Sequence, residues 1–373
     1  MRRSWTPSRR GFHLRALRFG GEVAASTSPF QGEENSSVTG ISSSPAHSGG
    51  GKRTLVNGVL LGVLCLLVPM SLLAGRVWFS PADIVGGSQL AGLIVTELRL
   101  PRTVLAIAVG AALGLSGAVL QGLTRNPLAE PGLLGVSMGA SLGAVVAIYF
   151  GISTIATAAV PLFGLIGALA AMTLTFALGR GGGTLALILA GAAVSALASA
   201  LISLALNLAP SPYAAYEIMT WLLGSLADRS WDHVLLAGPF IVAGCALLAF
   251  TGRSLDALSL GEAQAASLGV DIPRLHLMAL IGSAIAVGAA TSVTGAVGFI
   301  GLIAPHLIRP FVGYEPRRIL LPAALAGAVL LLSADIATRL IRFGPEMKLG
   351  VFTSLIGIPF FFWLVVRLRR TSP

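Results

Sequence analysis

Charge is what this chain has least of. Only 11% of its 373 residues are Asp, Glu, Lys or Arg, where a soluble domain carries about 25%, and the mean hydropathy is +0.85. So little charge cannot cover a water-exposed surface, which excludes an ordinary soluble globular protein and leaves a polytopic membrane protein. Cysteine is scarce as well. Cys65 and Cys245 each sit inside an apolar run, which excludes a disulfide framework and a thiolate metal centre and leaves packing residues. Missing too are the phosphate loop Gly-x-x-x-x-Gly-Lys-[Ser/Thr], the His-Glu-x-x-His metal pair and any nucleophile with a base in a soluble pocket. Gly179-Arg-Gly-Gly-Gly-Thr184 lacks the lysine and joins two apolar runs, and Leu115-Ser-Gly-Ala-Val-Leu-Gln121 lies in the middle of another. The chain is therefore expected to be no enzyme, not to hydrolyse ATP by itself, and to need no cofactor or resident metal.

What is present is apolar sequence cut into lengths that suit a bilayer. The run Thr103 to Thr124 carries no charge and has about the 20 residues a spanning helix requires. Gly110, Gly114, Ala118 and Gly122 recur in it every fourth residue, so one helical face is a strip of small side chains against which another backbone can pack. Pro127, Pro131 and Gly132 interrupt the helix before the next apolar run, and such irregular backbone must be shielded by protein or water. Read in order, Leu55 to Ala74 is the first span and Thr103 to Thr124 the second, with Arg76 to Leu100 a polar connection. Leu133 to Phe150, Val160 to Leu178, Thr184 to Leu206 and Val234 to Phe250 are the third to sixth. Leu275 to Thr294, the short Leu302 to Phe311, Ile319 to Ile341 and Leu349 to Val366 complete ten, and Tyr213 to Leu226 is a partly embedded external helix. The fold class is all-α, one membrane domain over residues 55–370.

Residues Met1 to Thr54 are rich in Ser, Gly, Pro and Arg and too poor in apolar periodicity to repay ordering, so they are expected to be a disordered basic extension or an artefact of start-site choice. A cleaved signal peptide is not expected, because the first apolar run comes too late. The net charge of +10 owes much to Arg2, Arg3, Arg9, Arg10, Arg15, Arg18, Lys52 and Arg53, all ahead of the first span. A nucleic acid or an anionic lipid surface would suit such a stretch, and so does a cytoplasmic flank under the positive-inside rule. Basic residues at both ends and an even span count place both termini inside, with no nucleic-acid partner.

Two stretches carry a resemblance. Arg99-Leu-Pro-Arg102 with Asn126-Pro-Leu-Ala-Glu-Pro-Gly-Leu-Leu-Gly-Val-Ser137, and Gly298-Phe-Ile-Gly-Leu-Ile-Ala-Pro-His306, resemble the permease subunits of ABC importers for iron chelates, haem and cobalamin, the FecCD type. A third, Gly261-Glu-Ala-Gln-Ala-Ala-Ser-Leu-Gly269, looks like the coupling loop by which these permeases dock into a groove on a separate ATPase subunit. The resemblance covers nearly everything from Leu55 to Arg370.

It implies ten helices per subunit, paired as a homodimer around a central path in the inner membrane, and partnership with two copies of an ATP-binding subunit and a periplasmic substrate-binding protein. Carried over residue by residue, Glu262, Ala266, Leu268 and Gly269 within the cytoplasmic loop 253–274 are the ATPase-coupling surface. Arg99, Arg102 and Arg339 are the positions that receive acidic residues of the binding protein. Substrate stays open among ferric siderophore, haem and cobalamin. His306, the matching histidine of the second motif, is expected to be structural.

Elementary chemistry supplies a reading beside each of these. Ser259 and Glu262 have capping-box spacing and Gly269 can stop a short helix in the left-handed region, though a plain connecting loop fits as well. External arginines either snorkel at a helix end or grip a partner's carboxylate bidentately. Asp335 stands four residues before Arg339, the spacing of an acid-to-base pair on one helical face. The glycine turn Gly179, Arg180, Gly181, Gly182, Gly183 is the expected gate. The competing class is an ion-coupled secondary transporter using Asp335, Glu217 or Glu130 as proton site. A membrane subunit with no transport path is the third alternative.

Overall fold

A computed structural model describes residues 49–75, 89–156, 158–341 and 346–371, all within one of the two units into which the chain divides, His47–Pro373. The extension expected over residues 1–54 therefore lies outside the described residues except at its end, where the first helix, α1 (Gly49–Leu73), begins six residues before the expected Leu55. Twelve more helices follow: α2 (Gln89–Thr124), α3 (Val136–Tyr149), α4 (Ala159–Gly179), α5 (Gly183–Asn207), α6 (Pro212–Leu222), α7 (Trp231–Phe250), α8 (Gly252–Leu258), α9 (Glu262–Ser267), α10 (Ile272–Thr294), α11 (Ile300–Val312), α12 (Pro316–Leu340) and α13 (Leu349–Thr371). No strand occurs among the described residues.

Eight of these helices are long and apolar enough to cross a membrane, and α3 and α11 are shorter apolar helices at two of the ten expected positions. Both short helices follow a break that the sequence dictates. Before α3, Pro131–Leu134 forms a 3₁₀ turn that ends in Gly135 at φ +82°. Before α11 the chain leaves α10 through Gly295 at φ +71° and restarts after Phe299.

Helices α2 and α10 are the most enclosed spans, 78% buried over their apolar windows, whereas α1 is 11% buried and faces outward. The small-residue strip of α2 explains its central place. A Cβ at Gly110 would overlap the Gly327 carbonyl oxygen of α12, and one at Gly114 the Ala323 carbonyl oxygen, so the two backbones touch directly. Gly117 meets Gly301 of α11 in the same way. Where the hydrophobic effect does not drive helices together in lipid, this close approach and its dispersion contacts hold the bundle.

One expectation fails at the N-terminal end of α2. The segment read as a polar connection up to Leu100 is helical from Gln89, and its turn Ile94–Arg99 is a π-helix. The Leu100 N–H reaches back five residues to the Val95 carbonyl. Pro101 follows and has no N–H with which to restore the ordinary register, so the wide turn persists. Glu97 and Arg99 gave this stretch its polar look, yet Arg99 is buried.

Candidate functional site

At one end of the bundle the three arginines expected to dock a binding protein converge. Arg99 donates from Nη1 to the carbonyls of Leu72 and Leu73, each at 2.8 Å, and Arg339 donates from Nη1 to the Ser71 carbonyl at 2.8 Å and from Nη2 to Ser71 Oγ at 2.9 Å. These are the last carbonyls of α1, which lack intrahelical partners and carry the negative end of its dipole. Thr103 Oγ1, bonded to the Arg99 carbonyl, lies 2.7 Å from Ser71 Oγ. Two guanidiniums thus cap α1 and tie it to α2 and α12.

Asp335 completes the cluster. Its Oδ1 accepts from Arg102 Nε at 2.9 Å and its Oδ2 from Arg339 Nε at 2.9 Å and from Arg339 Nη2. The acid-to-base pair read from sequence is present, extended by Arg102 from another helix. Arg102 also bonds Glu346 at 2.5 Å, ahead of α13.

The arginines are not presented as free surface charges. Arg99 and Arg339 are 8% and 6% exposed and are turned inward onto α1 and Asp335. They line a cavity of about 190 Å³ together with Arg102, Glu346 and Arg229. Arg229 was not singled out in the sequence. It stands in the loop before α7, where burial pushes its guanidinium below the usual range, against the opposing effect of Asp228, and its Nε has no hydrogen-bond partner. Glu346 was missed as well, although the ten-span alternation already puts it at the arginine end.

At the opposite end, the segment 253–274 folds into α8, α9 and the start of α10. Gly269 stops α9 at φ +82°, as its sequence suggests. The capping box does not form: Gly261 is the N-cap, and Ser259 Oγ donates to the Asp256 carbonyl at 2.6 Å instead. Gly261 turns the chain at φ +116°, a region closed to most residues, and this moves the helix start past the reach of Ser259. Ala265 is buried, while Glu262, Ala266, Leu268 and Gly269 are exposed.

Helix α4 ends at Gly179 and α5 begins at Gly183, so the glycine turn falls where expected. A cavity of about 820 Å³ is lined both by this turn, through Gly179, Arg180, Gly181 and Gly183, and by the segment 253–274, through Glu262, Asp271 and Arg274. Asp271 caps α10 by accepting the Arg274 N–H at 3.0 Å.

The two motif stretches meet at the same end of the bundle. Pro131 packs over Gly301, Gln121 Nε2 donates to the carbonyls of Gly301 and Leu302 at 3.4 Å, and Arg309 Nη2 donates to Gln121 Oε1 at 2.7 Å. The Glu130 carboxylate accepts the backbone N–H of Phe299, a bulky residue at φ +68°. Burial raises the Glu130 pKa and this hydrogen bond partly offsets it. His306 sets its ring edge-on to Phe360 at 5.6 Å and Trp363 at 6.4 Å, a packed position.

An all-helical bundle with proline- and glycine-broken short helices, an arginine cluster at one end and an exposed small-residue helix at the other defines a membrane permease. The family model described as the FecCD transport family matches residues 63–367, and the chain belongs to that family. It is 43% identical over 279 residues to the hemin transport system permease protein HmuU of Yersinia pestis, covering 74% of this chain and 83% of that one. The vitamin B12 import system permease protein BtuC of Vibrio cholerae is 38% identical over 314 residues, covering 83% and 93%. A solved metal-chelate type ABC transporter in an inward-facing conformation superposes with a TM-score of 0.75 at 31% identity, over 84% of this chain and 99% of that one. The chain is a multi-pass permease subunit of an ABC importer, and the ion-coupled alternative falls away.

Proposed function

We propose that this permease carries a large metal chelate, with haem and cobalamin ahead of ferric siderophores because the two named sequence relatives above are a hemin and a vitamin B12 permease. It works as a homodimer in the inner membrane with both termini cytoplasmic. A substrate-binding protein delivers the chelate at the arginine end, and two ATP-binding subunits engage Glu262, Ala266, Leu268 and Gly269 at the other. ATP is hydrolysed in those partners and not in this chain.

The observation that carries this reading is the shared cavity. Glu262 of α9, the proposed lever, and Gly179, Arg180 and Gly181 of the glycine turn line the same space, so a displacement of α9 on an ATPase reaches the turn between α4 and α5 without passing through the packed core. We place the gate at Gly179, Arg180, Gly181, Gly182 and Gly183 for that reason. Docking at Arg99, Arg102 and Arg339 takes a narrower form than open charge pairing. A carboxylate of the binding protein enters the outer cavity and takes the place of Glu346 on Arg102, which exchanges one charge-assisted bond for another.

Uptake into proteoliposomes that contain the chain with its ATP-binding and substrate-binding partners tests this. Haem or cyanocobalamin should accumulate only with ATP inside and the loaded binding protein outside. Uptake driven by a proton gradient without ATP would contradict it.

A further inference from the structure

We propose that the pocket between the inner ends of α2, α11, α12 and α13 binds the phosphate headgroup of an anionic phospholipid. The pocket holds about 500 Å³ and is lined by Arg125, Arg309 and Arg367, with His306, Leu364 and Ile319 among the rest of its wall. No Asp or Glu is among its lining residues. The nearby acids are otherwise engaged: Glu315 pairs with Arg318, and Asp256 accepts the Arg317 N–H at 2.8 Å.

Arg309 is half-buried, while Arg125 and Arg367 are exposed and fixed in place by their surroundings. Arg125 is the C-cap of α2, held at φ 48°, and Arg309 is positioned by its bond to Gln121, a neutral group that leaves its charge uncompensated. Arg367 lies 5.2 Å over the ring of Trp363. His306 adds an Nδ1 that is buried without a hydrogen-bond partner.

Three guanidiniums around an apolar floor match a phosphodiester attached to acyl chains better than a free small anion, which has no use for the floor. The exposed face of α13 beside the pocket, Phe362 at 65%, Trp363 at 50% and Val366 at 50%, offers the acyl chains a track. An exposed tryptophan next to clustered basic residues is also what the headgroup level of a membrane selects. The lipid is a fixed wedge between helix ends that must shift when the permease changes conformation.

Native mass spectrometry of the detergent-purified chain, titrated with dioleoyl phosphatidylglycerol or dioleoyl phosphatidylcholine, tests the assignment. Wild type should retain one phosphatidylglycerol with a preference of about fivefold or more over phosphatidylcholine. Arg125→Asn, which tolerates the left-handed backbone, and Arg367→Gln on another helix should each remove most of that preference. Arg125→Lys and the exposed control Lys52→Gln should keep it. Equal retention of the two lipids, or equal loss in Lys52→Gln, overturns the proposal. So does full displacement of phosphatidylglycerol by inorganic phosphate, which would mean an anion site, or intact lipid retention with loss of a co-purifying ATPase in Arg125→Asn, which would give the pocket to that partner.

Discussion

Arg102 Nε donates to Asp335 Oδ1 at 2.9 Å across 233 residues of sequence, and Arg339 takes the second carboxylate oxygen of the same side chain. One buried acid therefore holds a buried cation, Arg339, and a half-buried one, Arg102, and through Arg339 it holds the end of α1. Removing it takes away the ion-pair partner of Arg339 and leaves Arg102 with Glu346 alone. Asp335→Asn is expected to lower stability by about 3 kcal/mol or more, the cost of stranding a buried charge, read as a large fall in the thermal midpoint in detergent. An unchanged midpoint would mean that Asp335 is not the clamp.

Glu346 occupies Arg102 from the solvent side and is 30% exposed. Glu346→Gln should leave stability within about 1 kcal/mol of wild type while tightening the binding protein a fewfold, because its carboxylate no longer competes for Arg102. Weaker binding in this variant would indicate that Glu346 is itself part of the docking surface.

The backbone contact of α2 with α12 makes the sharpest steric test. Gly114→Leu places a side chain where the Ala323 carbonyl lies, and the helices must separate. No monodisperse protein is expected after extraction. Gly58→Ala and Gly62→Ala, where a Cβ meets nothing within 4 Å, should behave as wild type.

Glu130 supplies a pH signature. Burial raises its pKa in the folded protein, so the folded state holds that proton more tightly than the unfolded chain. The site is then most favourable below the ordinary glutamate range and loses stability as pH rises through the raised value. Glu130→Gln keeps an acceptor for the Phe299 N–H and cannot ionise. Its gain in thermal midpoint over wild type should be larger at about pH 8 than at about pH 5. The reverse trend would place the charged form as the stabilising one.

The fold and the two ends of the bundle were legible to different degrees. Span positions follow from lengths of uncharged sequence, and the small-residue strip at Gly110 and Gly114 already indicated a close helix partner, though not that Gly327 and Ala323 supply it. That partner lies more than 200 residues away and no local pattern names it. The π turn at Ile94–Arg99 was hidden because its charged residues imitate a loop, while their burial depends on α1 carbonyls that sequence does not bring near. The Ser259–Glu262 capping box had the right spacing and failed because Gly261 turns the chain first. Glu346 and Arg229 join the arginine cluster through loops, where register gives no warning.

The most direct test of the account joins the lever to the gate. The chain is purified in detergent from its native membrane, wild type beside Glu262→Arg, and nucleotide-dependent ATPase activity is measured in each. An ATP-binding subunit should accompany wild type, and the variant should lose it or retain an activity that the loaded binding protein no longer stimulates. A well-folded wild type with no ATPase, or a variant indistinguishable from it, would contradict the coupling role given to α9.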